Sequence, residues 1–165
     1  KYFHKKGALA AARTGGPSNP EKRSSGSQFY IVQGQVFTAG KLDTLEMMKN
    51  TRLRNEMMKQ RYDAIQEERN LYRQNNDQTG FNLRIAQLRT EVDSIFASEG
   101  LDFRFTDEQR NTYTTEGGYP SLDGDYTVFG EVIEGLEVLD KIAAVETDEN
   151  DRPLKDMRMK LEIVK

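Results

Sequence analysis

"SSGSQFYIVQG", residues Ser24 to Gly34, decides how this chain is read. Small polar residues run into an amide, two aromatics and a β-branched pair, and a glycine closes the stretch. "QFYIV" (Gln28–Val32) has the composition of a strand. Strand alternation puts Gln28, Tyr30 and Val32 on one face. Gln28 therefore sits where a strand ordinarily buries its side chains. On the residues alone, it reads as an amide that satisfies a neighbouring backbone group.

Working outward, "RTGGPSNPEKRSSG" (Arg13–Gly26) is rich in glycine, proline, serine and asparagine and reads as a loop. "GALAAA" (Gly7–Ala12) before it is either a short helical turn or a strand. Its length and the Gly-Gly-Pro that follows favour the strand. Beyond Gly34 the composition changes abruptly. Residues 38–98 hold no proline and one glycine outside the helix start, Gly80, and are dominated by Met, Leu, Arg, Glu, Lys and Gln. Leu42, Leu45, Met48, Leu53, Met57, Tyr62 and Ile65 form a loose apolar face at helical spacing, with Thr38 as candidate cap. After the polar link "NNDQTG" (Asn75–Gly80), Leu83, Leu88, Val92, Ile95 and Phe96 predict a second helix stopped by Gly100. Two strongly charged helices with a short link predict a hairpin that projects from its domain. A coiled-coil dimerisation arm is the alternative, but no apolar a/d repeat is sustained.

The C-terminal third predicts a short helix in "FTDEQRNTYTTEGG" (Phe105–Gly118), opened by a Thr106/Gln109 capping box. A strand follows in "YTVFGEVI" (Tyr126–Ile133), then an amphipathic helix in "GLEVLDKIAAV" (Gly135–Val145). "MRMKLEIVK" (Met157–Lys165) predicts a final alternating strand. Strand, helical segment, strand, helix and strand make an α+β chain.

Composition limits the function. At 165 residues the chain is one domain with an elaboration, and 36% hydrophobic against 31% charged residues predicts one segment of mostly solvated surface. A net charge of −3 implies no general affinity for nucleic acid. Residues 1–100 carry 16 Lys/Arg and 11 Asp/Glu, and residues 101–165 carry 8 and 16, so the acidic excess lies C-terminally. With no cysteine, disulfides, thiolate catalysis and cysteine metal sites are excluded. No apolar run approaches the roughly 18 residues of a membrane span. "TDENDRP" (Thr147–Pro153) lacks the spacing of a calcium loop and reads as a solvated turn. The chain opens on Lys1 rather than Met, so its native N-terminus is expected upstream.

Four segments in this order, "GALAAAR", "SSGSQFYIV", "LDGDYTVFGEVIEGLEVLDKI" and "TDENDRPLKDMRMKLEIVK", resemble the cyclophilin family of peptidyl-prolyl cis–trans isomerases. The match covers about residues 1–37 and 120–165. It implies an antiparallel β-barrel, incomplete in this chain, divided as 1–37 (first barrel part), 38–100 (inserted helical hairpin) and 101–165 (C-terminal barrel part). It also implies isomerisation of X–Pro bonds in proline-containing peptides or proteins, with no cofactor and no metal. By the resemblance Gln28 is the catalytic amide that contacts the substrate backbone. Tyr30 and Leu122 line the proline pocket, with Tyr126 beside them. Ala12 and Arg13 bind the residue before proline through their backbone. Phe129 is a core phenylalanine that packs first.

Departures from the family pattern accompany the match. Arg13 replaces asparagine, and Tyr30 replaces phenylalanine, which adds a hydroxyl that a buried pocket must satisfy. Tyr126 stands where many relatives have histidine. Ser121 stands where many have tryptophan, which argues against strong cyclosporin binding. His4, the only histidine, is read as a surface or packing residue. The family segment with the catalytic arginine has no counterpart here, and Lys5 of "YFHKKG" is not that arginine. The expectation is a bacterial C-terminal portion, inactive alone, with an N-terminal fragment or swapped partner chain completing the barrel. Its compartment is open between cytoplasm and periplasm or cell envelope. A non-catalytic module or chaperone holding proline segments is the second reading, and self-association through the hairpin the third.

Overall fold

A computed structural model describes residues 2–163. It divides into two compact units, residues 1–36 with 112–165, and residues 37–111.

The first unit is built on an open antiparallel sheet. β1 (Ala8–Ala11) lies between β2 (Phe29–Ile31) and β3 (Val128–Glu131). "GALAAA" is thus a strand, entered at Gly7 with φ +81°. Ala10 pairs with Tyr30 on one side and Val128 on the other. Ala8, Ala10 and Val32 are buried with His4 and Tyr113, which places this unit's core on that face. On the opposite face Leu9 pairs with Ile31 and Ala11 with Phe29, and both Phe29 and Ile31 are exposed.

Phe129 requires a correction. It was expected to pack in the core, yet it is 58% exposed. The register shifts between Leu9 and Ala10, so Val128 faces Ala10, Gly130 faces Leu9, and Phe129 is the extra residue of a bulge. The inward position falls to Val128, and among the described residues no layer covers the outer side. The expected final strand also differs. Residues 157–163 form no strand, and Met157, Met159, Leu161 and Ile163 are exposed. Alternation needs a neighbouring strand to become structure, and none among the described residues pairs there. Val164 and Lys165 lie outside the described residues.

α5 (Leu136–Ala143) follows Gly135 and is tied back to the start of the chain by Lys6, whose ammonium donates to both Asp140 carboxylate oxygens at 2.7 Å. "TDENDRP" is a turn, with Asp148 Oδ1 accepting from the Asn150 and Arg152 N–H groups at 2.9 Å. The tightest approach in the unit is at Gly118. It bridges to both Lys5 and Gln35, and a Cβ there would lie 2.3 Å from the His4 carbonyl oxygen.

The second unit is helical. α1 (Ala39–Ala64) starts at the predicted cap, where Thr38 Oγ1 accepts from Lys41 N–H. Leu42 is buried and Leu45, Leu53, Met57, Tyr62 and Ile65 are half-buried, whereas Met48 is exposed. α3 (Gln78–Glu99) is capped by Asp77 and ends at Gly100 in the left-handed region. It buries Leu88, Val92 and Phe96 at a strict spacing of four. Between them the chain makes a separate α2 (Gln66–Gln74), where one continuous helix was expected. No proline or glycine causes the break at Ile65. Arg69 compensates for it, because its guanidinium donates to the carbonyl of Tyr62 at 2.8 Å and lies 3.8 Å over that residue's ring.

Residues 101–106 run along α1. Asn50 exchanges two hydrogen bonds with the Phe103 backbone, and Glu46 accepts from Phe105 N–H at 2.7 Å. These contacts hold Phe103 and Phe105 against α1, within the same compact unit. α4 (Asp107–Thr115) opens with the expected reciprocal capping box between Thr106 and Gln109. No helix among the described residues is long and apolar enough to cross a membrane.

The crowding at Gly118 sets a test. Gly118→Ala should cost about 3 kcal/mol of unfolding free energy through forced backbone shifts. Gly15→Ala, whose Cβ meets nothing within 4 Å, should stay within about 0.5 kcal/mol. Urea denaturation of both variants reads the difference.

Candidate functional site

The residues singled out in the sequence gather at one end of the sheet, with Phe129 the exception. Gln28 immediately precedes β2 and is exposed, and among the described residues its amide makes no hydrogen bond. Its carbonyl accepts from Ala12 N–H at 3.1 Å, while the Ala12 carbonyl accepts from Ser25 N–H at 2.7 Å. Both backbone groups of Ala12 are therefore occupied. Those of Arg13, the next residue, have no partner among the described residues. The turn after Pro120–Leu122 brings Tyr126 alongside, with the Leu122 carbonyl accepting from Asp125 and Tyr126 N–H groups.

Aromatic contacts join these pieces. The rings of Tyr30 and Tyr126 meet edge to face, with centroids 5.9 Å apart at 81°. Arg13 covers the other side of the pair. Its guanidinium carbon is 4.5 Å from the Tyr126 centroid, and its Nε donates to the Asp125 carbonyl at 3.0 Å. Lys22 donates to Asp125 Oδ1 at 2.7 Å, which ties the long glycine- and proline-rich loop to the same turn. Leu122 is half-buried beside this wall.

Behind the wall lies a buried polar cluster that sequence reasoning missed. Asp123 Oδ1 accepts from the backbone N–H of His4 at 2.9 Å and lies 2.9 Å from His4 Nδ1. Asp123 Oδ2 accepts from the Tyr113 hydroxyl at 2.6 Å. His4 Nε2 is 3.1 Å from the Tyr30 hydroxyl. Of the surface and packing alternatives for His4, burial selects the second, since it is 1% exposed and both ring nitrogens have partners. The available signal was chemical. A lone histidine and the aspartate of "LDGD" are polar residues inside otherwise strand-forming or turn-forming segments, and such residues need partners if buried.

Burial pushes the Tyr30 phenol up to about 12, helped by neighbouring Tyr126 and Asp123 and opposed by Arg13. Tyr113 is raised further, first by burial and then by its hydrogen bond to Asp123. Both phenols therefore stay neutral through the ordinary pH range and serve as hydrogen-bond donors. Among the described residues no group of three His, Asp or Glu side chains is arranged to hold a metal ion.

The surface made by Gln28, Tyr30, Arg13, Leu122 and Tyr126 combines an aromatic floor, an available amide and free backbone groups. It can hold an apolar ring and pair with the polypeptide on either side of it. It offers no nucleophile and no general acid–base pair. The family model described as "Cyclophilin type peptidyl-prolyl cis-trans isomerase/CLD" matches residues 1–162, and the chain belongs to that family. It is 40% identical over 47 residues to Peptidyl-prolyl cis-trans isomerase CYP18-2 of Arabidopsis thaliana, covering 28% of this chain and 29% of that protein. It is 47% identical over 49 residues to Peptidyl-prolyl cis-trans isomerase-like 3 of Gallus gallus, covering 29% and 30%. With Peptidyl-prolyl cis-trans isomerase-like 4 of Cryptococcus neoformans it shares 54% identity over 39 residues, covering 24% and 8%. The chain thus spans less than a third of each of these relatives. No solved structure matches it.

The raised phenols give a pH test. The unfolded chain releases the Tyr30 proton near 10 and the folded chain near 12, so the folded state binds more protons between those values. Stability should be level below about pH 10 and fall as the pH climbs towards 12. In Tyr30→Phe the decline should be shallower, as read by denaturation at stepped alkaline pH.

Proposed function

We propose that this chain is part of a peptidyl-prolyl cis–trans isomerase acting on X–Pro bonds in polypeptides, with Gln28, Tyr30, Arg13, Leu122 and Tyr126 forming one side of the substrate groove. The single observation that carries the reading is the unpartnered Gln28 amide beside the Tyr30–Tyr126 wall. The reaction must cross an amide-resonance barrier of about 20 kcal/mol and needs no bond to be broken. A protein accelerates it by binding the twisted amide more tightly than the planar one. The Tyr30 ring would take the pyrrolidine, and Gln28 would hold the backbone beside it. The free N–H and carbonyl of Arg13, in preference to those of Ala12, would pair with the residue before proline, because Ala12 is already bonded within the chain.

Donation to the prolyl nitrogen, whose lone pair is released as resonance is lost, calls for one strong donor. The guanidinium of Arg13 is committed to Tyr126 and Asp125, so it is poorly placed for that task. The donor in this reading is the arginine that the family resemblance implies and for which residues 1–165 offer no counterpart. The helical unit then stands as an insertion between the two barrel parts, and a bacterial source remains part of the proposal. A second reading, binding of proline segments without catalysis, is favoured by the same commitment of Arg13.

The full-length polypeptide should accelerate cis–trans exchange of an Ala-Pro peptide, followed by NMR exchange spectroscopy. Gln28→Ala should lower kcat/KM about tenfold or more while leaving the thermal midpoint in place, since the amide supports nothing in the fold. Absence of acceleration by the full-length polypeptide, with peptide binding retained, would favour the non-catalytic reading.

A further inference from the structure

Tyr30 carries a hydroxyl on a ring that the proposed groove uses as an apolar floor. The geometry shows where that hydroxyl goes. Asp123 Oδ1 can only accept, so the proton on His4 faces it from Nδ1. With the ring proton on Nδ1, Nε2 accepts and the Tyr30 O–H, 3.1 Å away, donates. The imidazole is 1% exposed, so the hydroxyl is drawn to the core end of the ring. The two rings also lie nearly parallel, at 14° with centroids 6.2 Å apart. Tyr126 meets Tyr30 edge to face, and Arg13 backs Tyr126. Tyr30 is therefore held at its hydroxyl by His4 and at its ring by Tyr126, and His4 in turn is held by Asp123, which the Tyr113 hydroxyl also engages.

We propose that His4, oriented by Asp123, is a positioning residue that fixes the Tyr30 hydroxyl on the core side, so that Tyr30 offers only carbon to the prolyl ring of the substrate. This rests on the reading of Tyr30 as a wall of the proline site. His4 touches no substrate. It sets the direction of a polar group that would otherwise need a partner in an apolar pocket, where an unpaired hydroxyl is costly. The substrate class that follows is a segment whose proline meets an aromatic face without a polar contact from it.

The test is a coupling measurement on the full-length polypeptide. His4→Asn retains a side-chain N–H for Asp123 and removes the acceptor facing Tyr30. His4→Gln returns an amide oxygen within reach of Tyr30. On the wild-type background His4→Asn should weaken kcat/KM about tenfold, mainly through KM, and His4→Gln should recover part of that loss. On a Tyr30→Phe background the same His4→Asn change should cost less than about twofold, because no hydroxyl remains to be placed. Nitrogen NMR of the wild-type imidazole should show Nδ1 protonated and Nε2 bare. Equal losses from His4→Asn on both backgrounds would overturn the proposal, as would a ring protonated at Nε2 alone. The same variants are compared by the Kd for a proline peptide. Wild-type protein that shows the coupling in Kd but no catalysis would sink the isomerase reading and leave the positioning role standing. Catalysis without coupling in either measure would do the reverse.

Discussion

The sheet unit depends on one buried carboxylate. Asp123 accepts from the His4 backbone and ring and from the Tyr113 hydroxyl, so a single side chain joins the start of the chain, the end of α4 and the turn before β3. A charge in that position would be expensive if unpaired, and three donors around it change the balance. Hydrogen bonds to an ionised acceptor are roughly twice as strong as neutral ones. The close approach at Gly118 belongs to the same arrangement, because the His4 carbonyl accepts from Tyr119 N–H while Gly118 bridges to Lys5 and Gln35. The glycine is required there by the room that His4 and Tyr113 occupy.

The helical unit solves a different problem with the same economy of apolar surface. Its core is thin, with Leu42, Leu88, Val92, Phe96 and Phe105 buried. Long polar side chains supply the rest. Arg84 bridges Glu68 on α2 and Glu91 on α3, Arg110 reaches Asp43 and Glu46 on α1, and Arg54 lies over the ring of Phe96. Such partly exposed ion pairs contribute little each. Their aliphatic stems cover apolar surface, which is how a segment so rich in charge can still form a packed pair of long helices.

Legibility in the sequence followed the range of the interaction. Caps at Thr38 and Thr106 and the stop at Gly100 depend on residues within four positions of one another, and all were readable. The break at Ile65 was not, because nothing local forces it and its compensation comes from the Arg69 side chain. Phe129 was misplaced because its core role came from the resemblance alone, whereas the bulge opposite Leu9 and Ala10 leaves it exposed. The strand pattern of Met157–Ile163 was genuine as a pattern, but a pattern becomes a strand only beside another strand. That Gln28, Tyr30, Arg13 and Tyr126 lie near one another follows from motifs that sit on β2 and on the turn before β3. The cluster of His4, Asp123 and Tyr113 was not legible, because a contact across 119 positions leaves no periodic trace.

The departures from the family pattern make sense only as a set. Arg13 in place of asparagine gains the Tyr126 ring to stack on. Tyr126 in place of histidine gives that cation an aromatic face and gives Tyr30 an edge contact. Tyr30 in place of phenylalanine adds a hydroxyl that would disable an apolar pocket, unless an acceptor waits on the core side, and His4 provides one. Each residue taken singly looks like a weakening of a proline site. Taken together they form a continuous line from Arg13 to Asp123 in the core, along which Arg13 Nε and the Tyr30 hydroxyl each meet a partner inside the fold. What these contacts leave exposed is the Gln28 amide, the Arg13 backbone and aromatic carbon.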